Sequence, residues 1–125
     1  MSEMRFTEDH EWIVLEAEDV AVVGITDYAQ EQLGELVFVE LPEIGIEFAQ
    51  GGDMAVIESV KAAGEVKAPV SGTIVDTNES LVEDPGKVNT DAEGEGWFLK
   101  LRLLEPEQLD GLMDADAYRA YVDTL

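Results

Sequence analysis

A chain of 125 residues, 46% of them apolar, is of single-domain length. A domain near this size buries about two-thirds of its unfolded surface, so no cofactor or partner subunit is needed to explain folding. The absence of cysteine excludes disulfides, thiolate metal sites and a cysteine nucleophile, and 29 Asp and Glu against 7 Lys and Arg, a formal net charge of −22, argue against nucleic-acid and anionic-membrane partners, which need basic patches.

The N-terminal stretch Met1 to His10 is acidic and has no apolar h-region, so it reads as neither a secretory signal nor a transit peptide. No apolar run approaches the roughly 18 residues of a membrane span. A cytoplasmic protein is the expectation. Trp12 to Leu15 and Val20 to Ile25 are apolar and β-branched, and the polar run Glu16-Ala17-Glu18-Asp19 between them predicts a hairpin. The period then changes: Thr26 can cap a short helix, Asp27 suits its positive end, Gly34 can terminate it, and Ile25, Ala29 and Leu33 give it one apolar stripe.

Glu35 to Leu41 returns to strand character before Pro42, and Glu47-Phe48-Ala49 runs into the turn Gln50 to Asp53. Met54 to Ile57 and Gly64 to Ala68 read as strands, Pro69 to Gly72 as a turn, Thr73 to Thr77 as a strand, Glu83 to Gly86 as a turn, and Trp97 to Leu103 as the last strand. After Pro106 the pattern is helical, with Leu109, Leu112 and Met113 on one face and Tyr118, Tyr121, Val122 and Leu125 on another. Gln50 to Asp53 and Asp84 to Lys87 hint at two related halves, each with a turn ahead of an apolar strand. Many short strands with frequent Gly and Pro turns predict a sandwich or barrel with helices as covers. The acids are scattered along the whole chain. Halophilic cytoplasm is the favoured reading, because at about 1 M salt the Debye length is only about 3 Å and self-repulsion is screened; a plain solvated shell and an acidic surface for basic partners are the alternatives.

The informative stretch is Ile57 to Pro69. Of the four lysines, Lys67 and Lys100 fall within predicted strands and Lys87 follows a Pro-Gly turn, whereas Lys61 lies between two strand-like runs among the small residues Ser59, Ala62, Ala63 and Gly64. That placement presents an amine at a hairpin tip, open to a modifying enzyme and free of neighbouring bulk; a lysine kept for solubility fits turn placement as well. The other candidates carry little. His10 is the only histidine, too little for a His-based metal site, and reads as structural near Trp12; Trp12 and Trp97 read as core or cleft walls. Gly86-Lys87 has no phosphate-loop context, and no pair of carboxylates has a diagnostic spacing.

The segment Glu58-Ser59-Val60-Lys61-Ala62 resembles the lipoyl-attachment motif of glycine cleavage H proteins. His10-Glu11-Trp12, the run Gly24 to Gln30, Leu33-Gly34-Glu35, Val37 to Pro42, Pro69 to Gly72, Asn78, Pro85-Gly86, Val88-Asn89 and Gly96-Trp97 follow in the order of that family. Biotinyl domains are similar in architecture but usually set the target lysine between methionines, where this chain has Val60 and Ala62. Acyltransferase lipoyl domains usually carry Asp before the lysine and lack the helix opening at Thr26.

The resemblance implies a mainly β fold of lipoyl/biotinyl type, a barrel-sandwich hybrid with a short helix after the first hairpin and C-terminal helices over about residues 106–125, all in one domain spanning residues 1–125. It implies a monomeric carrier rather than an enzyme, with lipoate joined as an amide to Lys61 by a ligase or transferase. The implied partners are a pyridoxal-phosphate glycine decarboxylase, a tetrahydrofolate-dependent aminomethyltransferase and dihydrolipoamide dehydrogenase, among which the arm would shuttle the aminomethyl group of glycine. In the family, acids beside the opening strand and just past the lysine contact the loaded amine. By motif these are Asp9 and Glu11 around His10, and Glu65, one carbon longer than the aspartate usual there. A lipoate relay to other enzymes and an unmodified acidic adaptor are the competing functions.

Overall fold

The structure is a computed structural model that describes residues 4–125; Met1, Ser2 and Glu3 of the N-terminal reading lie outside the described residues. The alternating apolar runs become strands β1 (Arg5–Phe6), β2 (Glu11–Leu15), β3 (Val20–Ile25), β4 (Leu36–Glu40), β5 (Glu47–Phe48), β6 (Asp53–Ser59), β7 (Ala63–Lys67), β8 (Gly72–Thr77) and β9 (Leu99–Leu103). All the pairings are antiparallel. Six strands form one sheet in the order β1-β2-β3-β9-β8-β5, and β4-β6-β7 form a second. The fold is therefore the expected mainly β architecture of two sheets, not closed into a barrel. Ile13, Val23, Ile74 and Leu101 of the larger sheet share one buried cluster with Val39, Ile57 and Val66 of the smaller. Removing that apolar surface from water is the main favourable term in folding.

Helix α1 (Asp27–Leu33) forms as its caps dictate. The Ala29 N–H donates to Thr26 Oγ1 at 3.1 Å, and Gly34 closes the helix by donating its N–H to Gln30 O. Ala29 and Leu33 press against the main core.

Three expectations give way to the structure. The region read as a turn around Glu83 to Gly86 contains helices α2 (Ser80–Glu83) and α3 (Gly86–Thr90), which bury Leu81 and Val88. The Asp84 to Lys87 segment joins those two helices, whereas Gln50 to Gly52 leads directly into β6, so the two segments do not occupy matching places ahead of a strand. The C-terminal apolar residues also divide differently. Pro106–Gly111 is a 3-10 turn, and Leu109 and Leu112 meet the main core. Met113 instead forms a β-bridge with Phe6 and joins a second cluster with Trp12 and Tyr118. On α4 (Ala115–Asp123), Tyr118, Tyr121 and Val122 pack into that cluster, whereas Leu125 is exposed.

The ion pairs among the described residues are Lys100–Glu16, Arg102–Asp19 and Arg119–Asp116, few beside the number of carboxylates. Repulsion among the unpaired acids is screened by salt. The melting midpoint should therefore rise from dilute buffer to molar KCl; a flat or falling midpoint would contradict the scattered-acid picture.

Candidate functional site

The β6–β7 hairpin closes through Val60 and Lys61. Two-residue hairpin loops usually need residues with positive φ, but His10 is the one non-glycine residue with positive φ among the described residues. Ser59 supplies the compensation. Its Oγ accepts the backbone N–H groups of Lys61 at 3.1 Å and Ala62 at 3.0 Å, while its own N–H donates to Ala62 O at 2.7 Å. The Val60 N–H donates to Glu35 O at 3.0 Å, which ties the loop to the residue before β4. Every amide of the loop is satisfied, so the turn is held firmly while Lys61 projects as an exposed side chain. No carboxylate pairs with its ammonium among the described ion pairs. Glu58 and Ala62, the outer members of the motif, are exposed as well.

The Lys61 stem runs over the C-terminal end of α1. A Cβ on Gly34 would lie 3.0 Å from Lys61 Cε, and Gly34 itself has φ 82° and ψ −161°, a region open essentially to glycine alone. Asn89 of α3 secures this junction: its Nδ2 donates to Gly34 O and Gln30 Oε1, and its Oδ1 accepts the Leu36 N–H. Gly34→Ala should lower stability by about 1–3 kcal/mol and crowd the lysine stem. A denaturation midpoint equal to that of the parent chain would refute the strain.

Beside this stem lies a cleft of about 340 Å³ lined by Asp9, His10, Glu11, Ile25, Tyr28, Ala29, Gln32, Leu33, Ile57, Gly64 and Glu65. The three acids named from the sequence, Asp9, Glu11 and Glu65, thus line one cleft, although they come from a loop, β2 and β7. Asp9 and Glu65 are exposed. Glu11 is not a solvated acid: it is 2% exposed, and it accepts hydrogen bonds from Thr7 Oγ1 at 2.7 Å and from the Lys67 N–H at 3.3 Å. Burial, assisted by neighbouring Asp9 and opposed by those hydrogen bonds, pushes its carboxyl up to about 7.

His10 was expected to act structurally near Trp12. It does have a structural role, but toward tyrosines. The Trp12 Nε1–H donates to Ala92 O, whereas His10 packs near the rings of Tyr28, Tyr118 and Tyr121. His10 sits at φ 69°; its Nδ1 lies 2.8 Å from the Tyr118 hydroxyl, which lies 2.7 Å from Thr26 Oγ1. Burial lowers the His10 pKa, with Asp9 opposing. A neutral ring can accept at Nδ1, so a chain of hydrogen bonds can run from Thr26 through Tyr118 to His10. One tyrosine of α4 thereby braces two walls of the cleft, the His10 loop and the cap of α1. Tyr28, Gln32 and Tyr118 stand at or behind the site with no local signal in the sequence, since only the fold brings Tyr28 and Gln32 beside Asp9 and Glu65 and sets Tyr118 against His10.

The family model described as "Glycine cleavage H-protein" matches residues 4–125. The chain belongs to the glycine cleavage H-protein family. It is 62% identical to a glycine cleavage system H protein of Rhodospirillum rubrum over 125 residues, covering 100% of this chain and 99% of that one. A second relative so named, from Beijerinckia indica, is 57% identical with 100% of both chains covered. The crystal structure of a glycine cleavage system H protein from Mycobacterium marinum superposes with a TM-score of 0.87 at 35% identity, covering 100% of this chain and 99% of that one. Membership makes this H-protein homologue a lipoyl-carrier component of the glycine cleavage system, which works with the other components of that system. No helix among the described residues is long and apolar enough to cross a membrane.

Proposed function

We propose that Lys61 Nζ is the attachment point of a lipoyl group, and that this single-domain chain carries the aminomethyl unit of glycine without catalysing a step. The observation that carries the reading is an exposed, unpaired lysine on a hydrogen-bonded two-residue turn beside an acid-lined cleft. The residues fit the group. Nζ is open for amide formation, Glu58, Ser59, Val60 and Ala62 form the turn that displays it, and a cleft of about 340 Å³ falls within the size range of small-molecule pockets. When bound, the lipoyl group supplies a dithiolane that can be opened, loaded and re-closed.

The chain's own residues present, shelter and neutralise. Ser59 fixes the turn from which the arm leaves. Ile25, Leu33 and Ile57 make the apolar part of the cleft, which limits water around whatever is parked there. Asp9 and Glu65 supply carboxylates suited to an amine, and buried Glu11, pushed up to about 7, adds its charge as pH rises past that value. The proposed partners are a pyridoxal-phosphate glycine decarboxylase, a tetrahydrofolate-dependent aminomethyltransferase, dihydrolipoamide dehydrogenase and the ligase or transferase that installs lipoate, all met by a cytoplasmic monomer. The acidic shell is proposed to suit a salt-rich cytoplasm. The test is reconstitution: the lipoylated chain, mixed with the decarboxylase and aminomethyltransferase, should support tetrahydrofolate-dependent breakdown of glycine. Silence in that mixture, with lipoate transfer to a second carrier intact, would favour a relay role instead.

A further inference from the structure

Strand β4 breaks the inside–outside alternation of a sheet face. Its register with β6 slips between Leu36, paired with Ser59, and Phe38, paired with Glu58. A bulge of this kind re-aims side chains. Here two consecutive apolar residues are left facing solvent, Val37 at 53% and Phe38 at 42% exposure, while Leu36 and Val39 stay buried. Beyond the Leu36–Ser59 pair comes Val60, 66% exposed and bonded through its N–H to Glu35 O. The three apolar side chains thus occupy neighbouring register positions leading up to Lys61. Isolated exposed apolar residues need no explanation, but grouped ones mark contact surfaces.

The rim is of one sign. Glu35, Glu40 and Glu58 are exposed around the patch, and residues 11–60 hold twelve carboxylates and no Lys, Arg or His. Lys61 is therefore the first cation met after a long acidic stretch. An enzyme that works at the far end of an arm can sit away from the turn. One that acylates Nζ has to bring its own reactive centre to Nζ, and so has to cover Val60 and its surroundings.

Building on the lipoyl-carrier reading of Lys61, we propose that the β4 bulge patch, Val37 and Phe38 with Val60, is the docking surface for the enzyme that acylates Lys61. The partner's matching face is an apolar recess rimmed by Lys and Arg. Apolar contacts at the centre of such a surface hold the complex, and complementary charge around it speeds encounter.

The test uses the full unmodified chain and a purified lipoate–protein ligase with ATP and lipoate. Calorimetry gives the Kd, and intact mass over time gives KM and kcat for acylation. For the double variant Val37→Thr, Phe38→Thr, Kd and KM for the chain should rise by about tenfold or more with kcat nearly unchanged. The melting midpoint should change little, because about half of each side chain is already exposed. Parent binding should weaken as salt rises. Kd and KM unchanged by the substitutions, while the parent chain is acylated normally, would overturn the docking surface alone. Loss of affinity for the aminomethyltransferase but not for the ligase would assign the patch to an enzyme of the arm's end and would also overturn it. Failure of the parent chain to gain any adduct at Lys61 would instead overturn the carrier reading beneath it.

Discussion

Lys61→Arg is expected to abolish glycine breakdown in the reconstituted system while leaving the fold intact. The guanidinium keeps the charge and length of the side chain but forms no stable amide with lipoate, so the blank level of turnover is the expected result. Stability should change by less than about 0.5 kcal/mol, as for other exposed substitutions away from special features. The remaining lysines offer no substitute. Lys67 and Lys100 lie within β7 and β9, and Lys100 is occupied by Glu16 at 2.8 Å and lies near the Trp97 ring. Lys87 is in α3, away from any hairpin tip. Residual turnover well above the blank would mean that the arm is attached elsewhere.

The second large effect is expected from Glu11 and depends on pH. Its carboxyl has an ordinary value of 4.5 and is pushed up to about 7 in the fold, so over that interval the folded chain holds a proton that the unfolded chain has released. Stability from this group is therefore full below about 4.5 and is lost as pH rises through about 7, by about 3 kcal/mol in all. Glu11→Gln cannot ionise and should lose this slope. Urea unfolding of both chains at several pH values between 4 and 8 measures it, and parallel pH curves would contradict the buried-acid picture. The same group bears on the proposed sheltering role. Ionised Glu11 favours a cationic amine in the cleft, so an arm loaded with methylamine should hydrolyse more slowly as pH rises past 7. In Glu11→Gln that slowing should disappear.

Local chemistry was legible in the sequence. Thr26 and Gly34 marked the ends of α1 because capping oxygens and left-handed glycines act within a few residues. Small neighbours and flanking strands placed Lys61 at a hairpin tip, but a lysine kept for solubility fits that placement equally well, and only the resemblance of Glu58 to Ala62 to a lipoyl-attachment motif set it apart. Helices α2 and α3 escaped notice, since four or five residues are too few to show a helical period and Asp84-Pro85-Gly86 reads as a turn. The burial of Glu11 was hidden for a different reason. Among so many acids nothing local distinguishes one that is solvated from one under Thr7 and the Lys67 amide; only the pairing of β1 and β2 and the approach of β7 decide it. The brace from Tyr118 to Thr26 crosses 92 positions, and the bulge that exposes Val37 and Phe38 appears only once β4 is registered against β6.

The proposed arm hangs from the Lys61 amine. The most direct measurement is intact and peptide-level mass spectrometry of the protein purified from its native cells grown on glycine. A lipoyl adduct confined to the peptide that contains Lys61 is the expected result; an unmodified Lys61 in every preparation, or an adduct on Lys67, Lys87 or Lys100 instead, would contradict it.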